Sequence, residues 1–121
     1  MANPFVHIEL DTSNHTKAKE FYGRLLQWDL KDMDMGPMGT YTTIGVGEGT
    51  GGGMMQHPMA GAPSLWIPYI LVDDLAATTA KAKDLGAQII KENVPVSSMG
   101  TFSIITDPTG ATFGLWENAR K

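Results

Sequence analysis

Three polar side chains occur at alternate positions of a short segment near the start of the chain and could together accept and transfer a proton. They are His7, Glu9 and Asp11. If the segment is a regular strand, the three share one face, and an acid beside the imidazole could orient it and raise its pKa. His7 or Glu9 is then a candidate general base, and His7 a candidate polar contact for a ligand. The alternatives are a sheet histidine that only hydrogen-bonds a neighbour, and a solvated carboxylate at Asp11.

The other two histidines have weaker claims to a function. His15 follows Asn14 at the start of a predicted helix, where we expect it to be solvated. His57 lies in a predicted linker and is at most a residue at the rim of a site.

Composition removes several classes of function. The chain of 121 residues has 13 acidic and 9 basic residues, so it offers no positive surface for nucleic acid or an anionic membrane. It has no cysteine, which excludes a disulfide scaffold, a thiolate nucleophile, a zinc finger and an iron–sulfur cluster. No segment reads as a signal peptide or a membrane span, so we expect a cytoplasmic protein.

The elements that must position these side chains occur twice. A strand near 5–10 is followed by a helix over 16–28, two strands near 29–35 and 41–46, and a glycine-rich turn before a short strand. The second half repeats this order, with a strand over 66–72, a helix over 75–85 ended by Gly86, and strands near 88–92, 100–106 and 111–117. The sequence therefore predicts one α+β domain over residues 1–121, built from two tandem βαβββ modules at about 4–60 and 64–118.

Several short motifs agree with a known family. They are His7 in the first strand, Phe21-Tyr22 in the first helix, Val72-Asp73-Asp74 after the fifth strand and the turn Asp107-Pro108-Thr109-Gly110. In these residues the chain resembles the vicinal-oxygen-chelate superfamily of glyoxalases, bleomycin-resistance proteins and extradiol dioxygenases, within it a glyoxalase-like subgroup of poorly defined activity. The resemblance implies an incomplete barrel of paired modules, a ligand on its concave face and, in many members, a dimer.

The resemblance also implies where a metal would bind. Metal-dependent members present a His from the first strand of each module and a carboxylate or similar donor late in each. His7 stands at the first position, but Ile67 and Gly114 stand at the second His and at the last carboxylate. The remaining donor would fall among Gly53 to Gln56. We therefore expect no catalytic metal, although a weak divalent ion at His7 stays open.

The leading prediction is a homodimeric protein that binds a small apolar or aromatic molecule in a concave groove without a catalytic metal. The predicted contacts are His7, Gln56, Trp66, Tyr69, Phe102 and Trp116. The alternative is a glyoxalase-type lyase or isomerase that acts on a carbonyl compound with His7 or Glu9 as base. A ferredoxin-like barrel, as in small monooxygenases, explains the Asp-Pro-x-Gly turn less well.

Overall fold

A computed structural model describes residues 2–119, and the chain divides into two compact units. The first unit is Val6–Ile67, and the second runs from Pro68 onward together with the N-terminal residues up to Phe5. The elements are β1 (Phe5–Thr12), α1 (His15–Leu25), β2 (Asp29–Asp34), a 3-10 turn (Gly36–Met38), β3 (Thr40–Gly45), β4 (Gly52–Gln56), β5 (Leu65–Leu71), α2 (Leu75–Asp84), β6 (Gln88–Val96), β7 (Gly100–Thr106) and β8 (Thr112–Asn118). The predicted α+β class and the repeated βαβββ order are confirmed.

In the first unit the strands lie in the order β2-β3-β4-β1, with β1 and β4 parallel and the other pairs antiparallel. Alternate residues of the strands pack Leu10, Ile44 and Met54 beneath α1, against Tyr22 and Trp28. The helix begins at His15, one residue before the predicted start, and ends at Leu25, three residues before the predicted end. Asn14, one of the residues before the helix, caps it by accepting a hydrogen bond from the backbone N–H of Lys17. The opposite face of these four strands carries His7 and Glu9.

The second unit repeats the arrangement in the order β5-β8-β7-β6, with β5 and β8 parallel. Its core contains Val72, Leu75, Ile105 and Leu115. The Asp74 side chain caps α2 by accepting from the N–H of Ala77, and Gly86 follows the helix end with φ of 99°, a conformation that favours glycine.

The Asp-Pro-x-Gly turn between β7 and β8 is confirmed. The N–H of Gly110 donates to the carbonyl of Asp107 at 3.0 Å, while Oδ1 of Asp107 accepts from the N–H and the hydroxyl of Thr109 and from the N–H of Ala111. These hydrogen bonds, the one from the Thr109 hydroxyl first, lower the pKa of the Asp107 carboxyl. Within residues 2–119, neither helix combines the length and the hydropathy needed to cross a bilayer.

Candidate functional site

A hydrogen-bonded cluster lies on the face of the first unit's sheet opposite α1. Nε2 of His7 is 2.7 Å from Oη of Tyr41, and Oη is 3.2 Å from Oε1 of Glu9. A carboxylate only accepts, so the Tyr41 hydroxyl donates to Glu9 and accepts from the imidazole N–H. All three residues are half-buried. One hydroxyl from β3 thus joins two side chains that stand two residues apart on β1.

The Tyr41 side chain on β3 extends over β4 to reach β1, and it can do so because β4 has a glycine, Gly53, where the ring passes. Tyr41 pairs with Met55 on β4, whereas Glu9 pairs with Gly53 on the same strand. The Tyr41 ring leans over Gly53, and a Cβ there would overlap its hydroxyl and ring carbons. The sequence analysis did not single out Tyr41; a glycine inside a strand, which often marks a close approach, is the signal that could have found it.

Burial decides the charge of His7. Desolvation lowers the pKa of its imidazole, so His7 is neutral near pH 7. The expectation that a neighbouring acid would raise this pKa is therefore wrong, because burial of the imidazole lowers it.

Asp11 continues the same face of β1 and is not solvated, contrary to the expectation for a strand end. It is 8% exposed, and its Oδ1 is buried without a hydrogen-bond partner. Its neighbours in sequence, Leu10 and Thr12, face α1, so strand alternation turns Asp11 toward the side of Glu9. Across β4 it pairs with Met55.

His15 is half-buried rather than fully solvated, and it lies on the helix side of the sheet. Its Nε2 is 2.7 Å from Oγ1 of Thr42, which donates to Oδ1 of Asp32 at 2.7 Å. Lys19 completes this network with an ion pair of 2.8 Å to Asp32. Desolvation lowers the pKa of His15, an effect that the charge of Asp32 opposes. The network ties α1 to β2 and β3.

The Gln56 side chain forms hydrogen bonds with the backbone at the start of α1. Its Oε1 accepts from the N–H of His15 at 2.9 Å, and its Nε2 donates to the carbonyl of Ser13 at 2.7 Å. Glu117, at the equivalent place on β8, accepts from the N–H of Leu75 at 2.7 Å, at the start of α2. Each of these side chains therefore satisfies a backbone N–H at the start of the helix in its own unit.

The predicted aromatic contacts belong to both units. Trp66, which is 38% exposed, packs edge-to-face on Tyr22 and Trp28 in the first unit, with ring centroids 5.5 and 6.3 Å apart. In the second unit Tyr69 meets Phe102 edge-to-face at 6.0 Å.

The remaining predicted aromatic residue, Trp116, belongs to the second unit. Its Nε1 donates to Oδ1 of Asn118 at 2.8 Å, and the indole lies where a Cβ on Gly100 would fall.

The residues present do not fit the divalent metal that the family resemblance implies. The late positions Gly53 and Gly114 carry no donor, and the rings of Tyr41 and Tyr69 fill the space that side chains there would need. Nε2 of His7 is hydrogen-bonded to Tyr41. Throughout the described stretch 2–119, no three His, Asp or Glu side chains come together as a metal site.

The comparisons with known proteins agree on one family. Residues 5–115 match the family model described as Glyoxalase/Bleomycin resistance protein/Dioxygenase superfamily. A protein named "Putative glyoxylase CFP32", from Mycobacterium bovis and from Mycobacterium tuberculosis, is 35% identical over 111 residues, which are 92% of this chain and 42% of that protein. The chain thus spans less than half the length of these relatives.

Solved structures share the fold at low identity. The hypothetical protein BH1468 from Bacillus halodurans superimposes with a TM-score of 0.76 at 17% identity, over 100% of this chain and 98% of that one. Methylmalonyl-CoA epimerase from Mycobacterium tuberculosis gives a TM-score of 0.71 at 17% identity, over 96% and 88% of the two chains.

Proposed function

Because the chain belongs to the Glyoxalase/Bleomycin resistance protein/Dioxygenase superfamily, we propose that it binds a small, largely apolar molecule through the His7–Tyr41–Glu9 cluster, without a catalytic metal. The observation that carries the proposal is the Tyr41 hydroxyl, held between a neutral imidazole and a carboxylate on the sheet face opposite α1. Both protons of the cluster are used within it, whereas the hydroxyl and carboxylate oxygens have the capacity to accept a further hydrogen bond from a polar group of a ligand.

The apolar part of the ligand would contact the row of side chains that runs across the same face. Met33, Tyr41 and Met55 are register partners on β2, β3 and β4. Met33 is 40% exposed and Met55 is half-buried. Methionine side chains adapt to different shapes, and an aromatic ring supplies a flat surface, so this row suits a planar or hydrophobic molecule.

A ligand screen with two matched variants tests the proposal. We would measure thermal shifts of the wild type, Tyr41→Phe and Tyr22→Phe with a panel of aromatic alcohols, phenols and ketones. A ligand at about a hundred times its Kd adds about 2.7 kcal/mol to the free energy of unfolding. Tyr41→Phe should lose affinity, whereas Tyr22→Phe, which removes a hydroxyl on the α1 side, should keep it. Equal affinity in the two variants, or no shift with any compound, contradicts the proposal.

The second candidate is a lyase or isomerase that removes a proton next to a carbonyl group. It is favoured by the neutral state of His7 and by the hydrogen bond from Tyr41 that orients the Glu9 carboxylate, because imidazole and carboxylate groups act as general bases. Exchange of the α-hydrogens of methylglyoxal or acetoacetate for deuterium, followed by NMR in D₂O, tests it. His7→Gln and Glu9→Gln should each slow any exchange that the wild type catalyses; exchange at the uncatalysed rate in the wild type contradicts this candidate for these carbonyl compounds.

The homodimer and the cytoplasmic location predicted from the sequence stay predictions. Light scattering coupled to gel filtration measures the first directly.

A further inference from the structure

We propose that Asp11 binds the protonated amine of a small organic cation seated on the His7 and Glu9 face of the first unit. The inference rests on the proposed function, because it names the chemical class of the ligand for that face. It begins from the buried Oδ1 of Asp11, which has no hydrogen-bond partner.

A buried acceptor without a donor is costly, and more so when it belongs to a carboxylate. Such groups are rare in native proteins and call for an explanation, one of which is a bound molecule that supplies the missing donor. Asp11 pairs with Met55 on β4, so backbone pairing within the first unit fixes its placement. A bound ammonium would give it both a hydrogen bond and a counter-charge.

The neighbouring groups already satisfy one another, and this leaves Asp11 as the next acceptor along the strand. Glu9 accepts a hydrogen bond from the Tyr41 hydroxyl, and that hydroxyl accepts one from His7. Asp11 is two residues beyond Glu9, about 6.6 Å along the strand. A ligand with a polar group at Tyr41 and an amine about 6.6 Å farther along would span both places, with its apolar part against Met55.

The charge of the face favours a cation. On the four strands of the first unit, all within the described residues, this face carries the carboxylates of Glu9, Asp11 and Asp29 and the ammonium of Lys31. Lys31 stands on β2, three strands or about 14 Å from β1. Its Nζ lies 3.6 Å from Oδ2 of Asp29. Burial keeps His7 neutral, so it adds no positive charge near Asp11.

Three probes that share one skeleton test the inference: 2-phenylethylamine, 2-phenylethanol and 3-phenylpropanoate. We expect the wild type to bind the amine at least about tenfold more tightly than the alcohol, a difference of about 1.4 kcal/mol, and the carboxylate most weakly. Asp11→Asn should remove the preference for the amine while it leaves the affinity for the alcohol in place.

Asp29→Asn is the matched control, since it removes one carboxylate from the same face at the far edge. The Asp29 side chain is 67% exposed and its field is screened, so the amine preference should stay within about twofold. In the wild type, an NOE from the methylene beside the amine to the methyl of Met55 gives a second readout that needs no variant.

Three outcomes overturn the inference. They are an alcohol that binds as tightly as the amine, a preference that survives Asp11→Asn, and a preference that Asp29→Asn removes equally. If one of these outcomes occurs but 2-phenylethanol still binds, and Tyr41→Phe weakens that binding, the amine site is rejected and the proposed function is kept. If none of the three probes binds at millimolar concentration, the amine site is rejected, and the aromatic panel decides the proposed function separately.

Discussion

The ring of Tyr41 lies over the backbone of Gly53, and through this contact a residue of β3 reaches His7 and Glu9 on β1. The contact joins two strands that are not neighbours, because β4 lies between them. The glycine is therefore as necessary to the cluster as the three side chains that form it.

Replacing Gly53 by alanine should displace the Tyr41 ring and break both of its hydrogen bonds. We expect Gly53→Ala to lower the free energy of unfolding by about 1–3 kcal/mol, as measured by urea denaturation. Gly45→Ala is the control, because a Cβ there would meet Cβ of Asp29 at 3.4 Å, an ordinary contact. Equal stability of the two variants would show that the ring has room to move.

Protonation of His7 should oppose folding. Burial lowers the pKa of the folded imidazole below its usual value of about 6.5, so the unfolded chain binds more protons between the two values. Its contribution to stability is complete above about pH 6.5 and is lost as the pH falls toward the folded pKa. His7→Gln should reduce the slope of stability against pH in this window, and NMR titration of the ring should give a pKa below that of a model histidine. A ring pKa at or above the model value contradicts the prediction.

The hydroxyl of Thr42 should be important for stability. Thr42 is fully buried and bridges His15 and Asp32, so Thr42→Val leaves both without this partner. We expect a loss of about 1–3 kcal/mol in chemical denaturation. Thr43→Val, the same change one residue later and on the opposite face, should cost less. A similar loss in both variants would indicate a general response of β3 to valine.

Gln56 should matter for α1 and not for the ligand. Removing its amide leaves the N–H of His15 without this acceptor, so Gln56→Ala should cost about 0.5–2 kcal/mol, as the loss of a helix cap does. The affinity for any aromatic ligand should stay at the wild-type value in calorimetry. A large loss of affinity with unchanged stability would return Gln56 to the predicted binding contacts.

Local sequence signals were enough to predict the order of elements in both modules. Asn14, Asp74 and Gly86 act at helix ends within a few residues of themselves, and the turn at Asp107 is complete in five residues. Such signals need no knowledge of the rest of the fold.

The cluster partner could not be predicted in this way. Tyr41 lies 34 residues from His7, and their contact depends on the strand register across Gly53. The surroundings of Asp11 and His15 were likewise misjudged, because burial at a strand end or a helix start depends on what packs there. A pattern of residue types cannot supply that information.

Each unit has a glycine at the same place in its sheet, but a different ring covers it, and this difference gives the cluster a sequence signature. In the register of the second unit Tyr69 stands where Glu9 stands, Phe102 where Tyr41 stands, and Gly114 where Gly53 stands. Gly114 is covered by the ring of Tyr69, which comes from the first strand of its own module. That ring packs edge-to-face on Phe102. Among relatives, therefore, the combination of His, Glu, Tyr and Gly at positions 7, 9, 41 and 53 should separate proteins that share this chemistry from those that share only the scaffold.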